Sequence, residues 1–171
     1  MYSVGVKVEL IVNGKSYGKR NVKENKVIFK RIAYEPGTIT AISYREDGKE
    51  ISRSTLVTAS GETMLRLMPD KTKIAADGQD LCYVNIELVG TDGIVKSSED
   101  IQVHVKVDGA GSLQALGSAK PNMGENFYSD THTTYYGKAL AVIRAGNETG
   151  EVSITVSAPG CDTQNLVISA S

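Results

Sequence analysis

The chain has no tryptophan, two phenylalanines and four prolines among 171 residues. Without tryptophan, the broad aromatic platform on which many sugar-binding surfaces are built is missing. No apolar run approaches the roughly 18 residues that a membrane-spanning helix needs. Net charge is −1, with acidic and basic residues interspersed. That balance argues against a nucleic-acid or membrane-surface partner. Histidine and cysteine are scarce, at two each, and neither type shows zinc-ligand spacing. Met1-Tyr-Ser-Val lacks the charged start and apolar core of a signal peptide. What remains is ordinary globular material, 40% hydrophobic and 23% charged, enough for one or two domains.

The clearest local signal lies near the start. Val4, Val6, Val8, Leu10 and Val12 alternate with Gly5, Lys7, Glu9 and Ile11, the period-two pattern of a strand with one buried face. Asn13-Gly14 supplies the two positive-φ residues of a type I′ turn, so the chain reverses into residues 15–19. Short strands are predicted near 4–12, 15–20, 26–34, 38–46 and 49–58, separated by Glu35-Pro36-Gly37 and Asp47-Gly48. In residues 27–34 apolar side chains fall on both faces, which implies that both faces are covered. Around 61–69 the pattern breaks, and a domain boundary is expected near 66–69.

Beyond it the alternation is cleaner. Cys82, Val84, Ile86 and Leu88 face one way; Ile101, Val103, Val105 and Val107 repeat the pattern, as do Val152, Ile154, Val156 and Ala158. Turn signals recur at Asp77-Gly78, Asp92-Gly93 and Asp108-Gly109. Many short alternating strands with regular turns imply antiparallel sheets packed as a sandwich. The predicted fold is all-β: two immunoglobulin-like β-sandwich modules in tandem, over residues 1–66 and 67–171. A module of about 60 residues buries only some 60% of its unfolded surface, so the first is marginal alone.

No residue is assigned a catalytic, cofactor or metal role. Asp77, Asp80, Asp92 and Asp108 sit at turns, where Asp caps its own backbone, and Glu99-Asp100 reads as a surface pair. No calcium-loop spacing occurs. His104 lies on the polar face of a strand and His132 in a loop. Gly109-Ala-Gly111 precedes no helix, so it is a bend rather than a phosphate cradle. Cys82 reads as a small buried residue and Cys161 as part of a turn after Pro159-Gly160, with a bridge between them left unassigned. Residues 117–137 form a long stretch with little strand pattern, carrying Pro121, Asn122, Phe127, Tyr128, Asp130, His132, Tyr135 and Tyr136. Such a loop either packs its aromatics against the end of a core or presents them to a sugar.

Two blocks carry a resemblance to a known family. The first is VELIVNGKSYG, followed by FKRIAYEPGTITAISY and DGKEI; the second runs from LRLMPDKTKIAADGQDLCYVNIELVGTDGIV through VHVKVDGAGSLQALGSAKP to YYGKALAVIRAGNETGEVSITVSAPG. In that order they resemble the C-terminal region of bacterial family 2 glycoside hydrolases of the β-galactosidase type. The resemblance implies a small all-β module followed by a terminal immunoglobulin-like domain, both accessory to a catalytic (β/α)8 barrel. Such a barrel needs at least about 200 residues and carries the paired glutamates, and no glutamate here matches a catalytic motif. The implied role is structural, with the barrel and other modules of a parent chain as partners and no cofactor. A glycan or a second copy of the chain are further candidate partners. The alternatives are a carbohydrate-binding module and an adhesin-type immunoglobulin-like spacer. The parent is expected in the periplasm or secreted from a bacterium.

Overall fold

The computed structural model describes residues 1–121 and 124–171. Asn122, part of the aromatic loop above, lies outside the described residues. The chain divides into two compact units, residues 1–58 and 59–171.

The first unit is one four-stranded sheet in the order β2-β1-β3-β4. Its strands are β1 (Lys7–Val12), β2 (Lys15–Asn21), β3 (Thr38–Tyr44) and β4 (Glu50–Val57), all antiparallel. The β1–β2 turn is the expected one, with Asn13 at φ 47° and Gly14 at φ 80°. The Asn13 side chain also ties the hairpin to the chain entering β3: Oδ1 accepts from the Thr38 amide at 2.7 Å and Nδ2 donates to the Pro36 carbonyl at 3.0 Å. The apolar face of β1 is buried as its alternation requires, with Val8, Leu10 and Val12 at 2%, 2% and 6% exposure.

Two expectations for this unit are corrected. Residues 26–34 form no strand; apart from isolated bridges at Lys26, they are irregular chain. Val27 is held by reciprocal bonds with Met1, and Arg20 Nη1 donates to the Ile28 carbonyl at 2.8 Å. The apolar residues on both sides of this stretch marked the lack of a ladder rather than a doubly covered strand. Nor is the unit a sandwich: among the described residues it has a single sheet. On the face bearing Val8 and Ser43, Ser3 Oγ meets Ser43 Oγ at 2.6 Å, and the Ser3 amide donates to the Asn25 carbonyl. The N-terminal strand starts at Lys7, later than expected, with Val4 89% exposed.

Among the described residues the second unit has two sheets around one core. One has the order β5-β7-β11-β9, with β5 (Met64–Pro69), β7 (Leu81–Val89), β9 (Gly111–Gly117) and β11 (Lys138–Ala145). The other has the order β10-β8-β12-β13-β6, with β6 (Lys73–Ile74), β8 (Gln102–Gly109), β10 (Thr131–Thr133), β12 (Gly150–Ser157) and β13 (Gln164–Ala170). Cys82, Val84, Ile86 and Leu88 from one sheet and Val103, Val152, Ile154 and Val156 from the other are all at 0% exposure. These inward faces are those the alternation marked. Gly109 (φ 93°) bends the chain from β8 into β9, and a Cβ there would lie 2.2 Å from the Glu151 carbonyl oxygen.

Among the described residues the pairing is antiparallel except for the short β6, which runs parallel to β13. The unit division falls between Thr58 and Ala59, whereas the boundary expected at 66–69 lies within β5. Residues 64–69 pair with β7 along their whole length, so they belong to the second core.

Candidate functional site

Asp77, Asp80 and Asp92 accept from nearby backbone amides. Asp77 accepts from the amides of Gln79 and Asp80, both at 2.8 Å, which lowers its pKa. Asp80 takes the Lys71 ammonium at 2.6 Å and the Ala75 amide at 2.8 Å, and is held below its ordinary value chiefly by the lysine. Asp92 accepts from Ser60 and from the Ile94 amide. Asp108 pairs with Lys106 at 2.7 Å, and Glu99 with Lys96 at 3.0 Å and Thr63 at 2.6 Å. Asp100 accepts from the Gly137 amide. Each of these carboxylates therefore has a local structural partner. Among the described residues, no three His, Cys, Asp or Glu side chains converge as a metal site.

The two cysteines are free. Cys82 is buried, and burial pushes its thiol up to about 11, so it stays protonated and inert at neutral pH.

The 117–137 segment divides its aromatics between packing and display. His132 is fully buried; its ring stacks on Phe127 at 5.8 Å, and Nδ1 lies 3.0 Å from the Thr133 carbonyl oxygen. Glu125 accepts from the Thr133 amide and hydroxyl and lies 3.6 Å from His132 Nδ1. The Phe127 carbonyl accepts from the Leu116 amide. Tyr128 and Tyr136, by contrast, are 81% and 60% exposed, and Tyr135 rests on Tyr136 at 4.4 Å. His104 pairs with Asp130 at 3.3 Å on the surface. The segment is thus stitched to the sandwich through Glu125, Phe127 and His132, while Tyr128 and Tyr136 are displayed on the surface.

One charged constellation escaped the sequence reading. Glu87, buried on β7, directly opposes Arg66 of β5 and Lys138 of β11. Arg66 Nε donates to it at 3.0 Å and Lys138 Nζ at 2.8 Å. Burial pushes this carboxyl up, but the two cations outweigh it and hold its pKa below the ordinary value. The signal available was three charged residues at outward positions of three strands, legible only once the strand order was known. A carboxylate neutralised from both sides is poorly suited to attack or proton transfer.

The model for the glycoside hydrolase family 2 C-terminal domain 5 matches residues 65–167, more than half of the chain. The chain belongs to this family. Residues 1–52 match a second model, a domain of unknown function (DUF4982). A β-galactosidase of Bacteroides ovatus, BoGH2A, is 35% identical over 170 residues, covering 99% of this chain and 20% of that protein. A β-galactosidase of Thermoanaerobacter pseudethanolicus is 27% identical over 132 residues, covering 77% of the chain and 16% of that protein. A solved family 2 glycosyl hydrolase from Bacteroides cellulosilyticus superposes with a TM-score of 0.93 at 31% identity, covering 99% of the chain and 22% of that structure. The chain thus spans about a fifth of the length of these relatives. It corresponds to a C-terminal module of family 2 enzymes, distinct from their catalytic barrel.

Proposed function

We propose that this chain is a structural accessory region of a β-galactosidase-like family 2 hydrolase, built as two all-β modules in tandem with the second immunoglobulin-like. Its role is to brace the catalytic module and mediate contacts with other parts of the parent. The observation that carries this reading is the continuous 170-residue match to a β-galactosidase, which spans both compact units. The two-sheet core of the second unit supports the immunoglobulin-like assignment. The exposed apolar side chains of the first unit, Leu56 at 70% and Tyr34 at 78% among them, support packing against further protein. The bacterial relatives support a bacterial parent, which we place in the periplasm or outside the cell.

The test compares the parent enzyme with and without this region. Removal is expected to lower the melting temperature and yield of folded enzyme while the remaining folded fraction keeps its nitrophenyl β-galactoside turnover within several-fold. The isolated chain is expected to show no turnover. Activity that persists through repurification of the chain alone, or a truncated enzyme as stable as the whole, overturns the reading.

A further inference from the structure

The charge of the chain is near zero only as an average. Residues 15–31 hold seven Lys and Arg against one acidic residue, Glu24. Strand β2 carries Arg20 to its end at Asn21, and the chain then folds into a tight reversal. The Lys23 and Lys26 backbones exchange both hydrogen bonds, at 3.0 and 2.9 Å, with Glu24 and Asn25 at φ 51° and 57° between them. This reversal and the following residues border an open cleft of about 280 Å³ lined by Arg20, Asn21, Lys23, Lys26, Val27 and Ile28.

The lining is cationic without compensation. Arg53, Arg66, Lys71, Lys96 and Lys138 each lie within 3.0 Å of a carboxylate. Among the described residues, Arg20, Lys23, Lys26, Lys30 and Arg31 have no carboxylate within 4.0 Å. Arg20 is nonetheless fixed in place: Nη1 donates to the Ile28 carbonyl at 2.8 Å, and the guanidinium sits 4.9 Å from the Phe29 ring centre. Its remaining N–H groups are free to donate, from a head already immobilised. Fold stability does not account for the cluster, because like charges within a Debye length of about 8 Å repel.

We propose that this cleft binds an anionic polysaccharide, through a sulfate ester or uronate carboxylate seated between Arg20, Lys23 and Lys26. The inference rests on the reading that the chain serves a glycan-acting enzyme. The cleft is smaller than the roughly 300–1,000 Å³ of drug-sized pockets, so it admits one charged sugar of a polymer rather than an enclosed small molecule. Arg20 supplies a planar fork for paired anionic oxygens, and the lysines add mobile point charges. Buried Val27 and the aliphatic stems of the three cations provide an apolar floor against which a sugar ring rests. Lys30 and Arg31 continue the positive surface along the chain for adjacent residues of the polymer. Phe29 is covered by the Arg20 guanidinium, so that ring offers no open face on which a base could stack.

The test is affinity electrophoresis of the 171-residue chain in gels containing dextran sulfate, polygalacturonate or neutral galactan, followed by calorimetric titration. Retardation is expected in one or both acidic gels and not in galactan, and which acidic gel retards identifies the recognised group. Affinity is expected to fall several-fold between 50 and 200 mM NaCl. The Lys23→Glu/Lys26→Glu variant is expected to lose at least about tenfold in affinity with an unchanged melting temperature, since neither side chain has a partner to lose. A Lys73→Glu/Lys120→Glu control carries the same charge change and is expected to lose less than twofold. No retardation in either acidic gel, an equal loss in the control, or equal binding of a single-stranded DNA oligomer overturns the proposal. Such a failure leaves the accessory role standing, because that role is tested by removing the region from the enzyme.

Discussion

Glu87 and Lys138 stand directly opposite each other across β7 and β11, with Lys138 Nζ 2.8 Å from Glu87 Oε1. Arg66 closes the same row from β5, so one nearly buried carboxylate is shared by cations on both neighbouring strands. Cross-strand charge pairs contribute modestly when exposed, but removing one member of a buried set strands the others. Here the cations are 38% and 58% exposed, which screens part of the effect. Glu87→Gln is therefore expected to cost about 1–2 kcal/mol, read as a fall of roughly 4–8 °C in the melting temperature of residues 59–171. A melt within 1 °C of the parent chain would show that the row is ornamental.

Acid sensitivity follows from the same groups. Glu9, Asp80, Glu87 and Glu99 all have pKa values below their ordinary ones in the folded chain, held there by hydroxyl donors or cations. A carboxyl whose folded pKa is depressed stabilises the fold fully above its unfolded value, here 3.8 for Asp and 4.5 for Glu. That stabilisation is lost as pH falls through the lower folded values. The urea midpoint is expected to stay flat from pH 7 to about 5 and to decline below about 4.5, less steeply in Glu87→Gln. A midpoint that rises on acidification contradicts the assignment.

Much of the second unit was legible in the sequence because its strands obey one rule. Cys82 to Leu88 and Val152 to Val156 place every second side chain in the core, so burial follows the pattern except at the ion-paired Glu87. The first unit was legible at Asn13-Gly14, where backbone conformation is dictated by two residues. It was not legible at residues 26–34, which owe their position to bonds with Met1 and Arg20, partners distant or nonperiodic in sequence. The parallel β6 is two residues long, too short to show a period. His132, expected in a loop, lies in β10, and its burial was hidden because a strand of three residues is too short to show a period. The cationic cluster at 15–31 was readable, but averaging charge over the whole chain concealed it.

His132 is fully buried with Nε2 unpartnered among the described residues, and it fills space beside Phe127 at the end of the core. His132→Ala removes the stacked ring and leaves a cavity, at an expected cost of about 2–4 kcal/mol. Hydrogen exchange should show the opening concentrated at the Leu116 amide, which bonds the Phe127 carbonyl, and at neighbouring amides of β10. Exchange that accelerates evenly over the unit would mean that the ring does not pin this loop.

Asn13 performs two tasks, the left-handed turn and the bonds to Pro36 and Thr38. Asn13→Ala loses both bonds and pays the steric cost of positive φ, so about 1–2 kcal/mol of the first unit's stability should go. Asn13→Gly keeps the turn and loses only the bonds, and should fall between the two. Chemical-shift changes confined to the β1–β2 turn and the start of β3 would accompany both; equal losses in the two variants would show that turn geometry contributes nothing.

The first unit's independence is decided by how little it encloses. It has 58 residues and, among the described residues, a single four-stranded sheet. Tyr2, Val4, Tyr34 and Leu56 are exposed at 82%, 89%, 78% and 70%. Strand β4 lies at the sheet edge and is exposed along its whole length, leaving backbone groups free to pair with another chain. A domain of this size sits near the lower limit for a self-sufficient core. Residues 59–171 differ, having two sheets and a core of fully buried Val, Ile and Leu. Cleavage between Thr58 and Ala59 should therefore leave 59–171 with a sharp, cooperative melt, while 1–58 associates or melts broadly below about 40 °C. Sedimentation and amide dispersion at low micromolar concentration provide the check. A monomeric 1–58 with dispersed resonances and a sharp transition would show that the unit's own residues complete its core, and that the exposed apolar side chains need no cover.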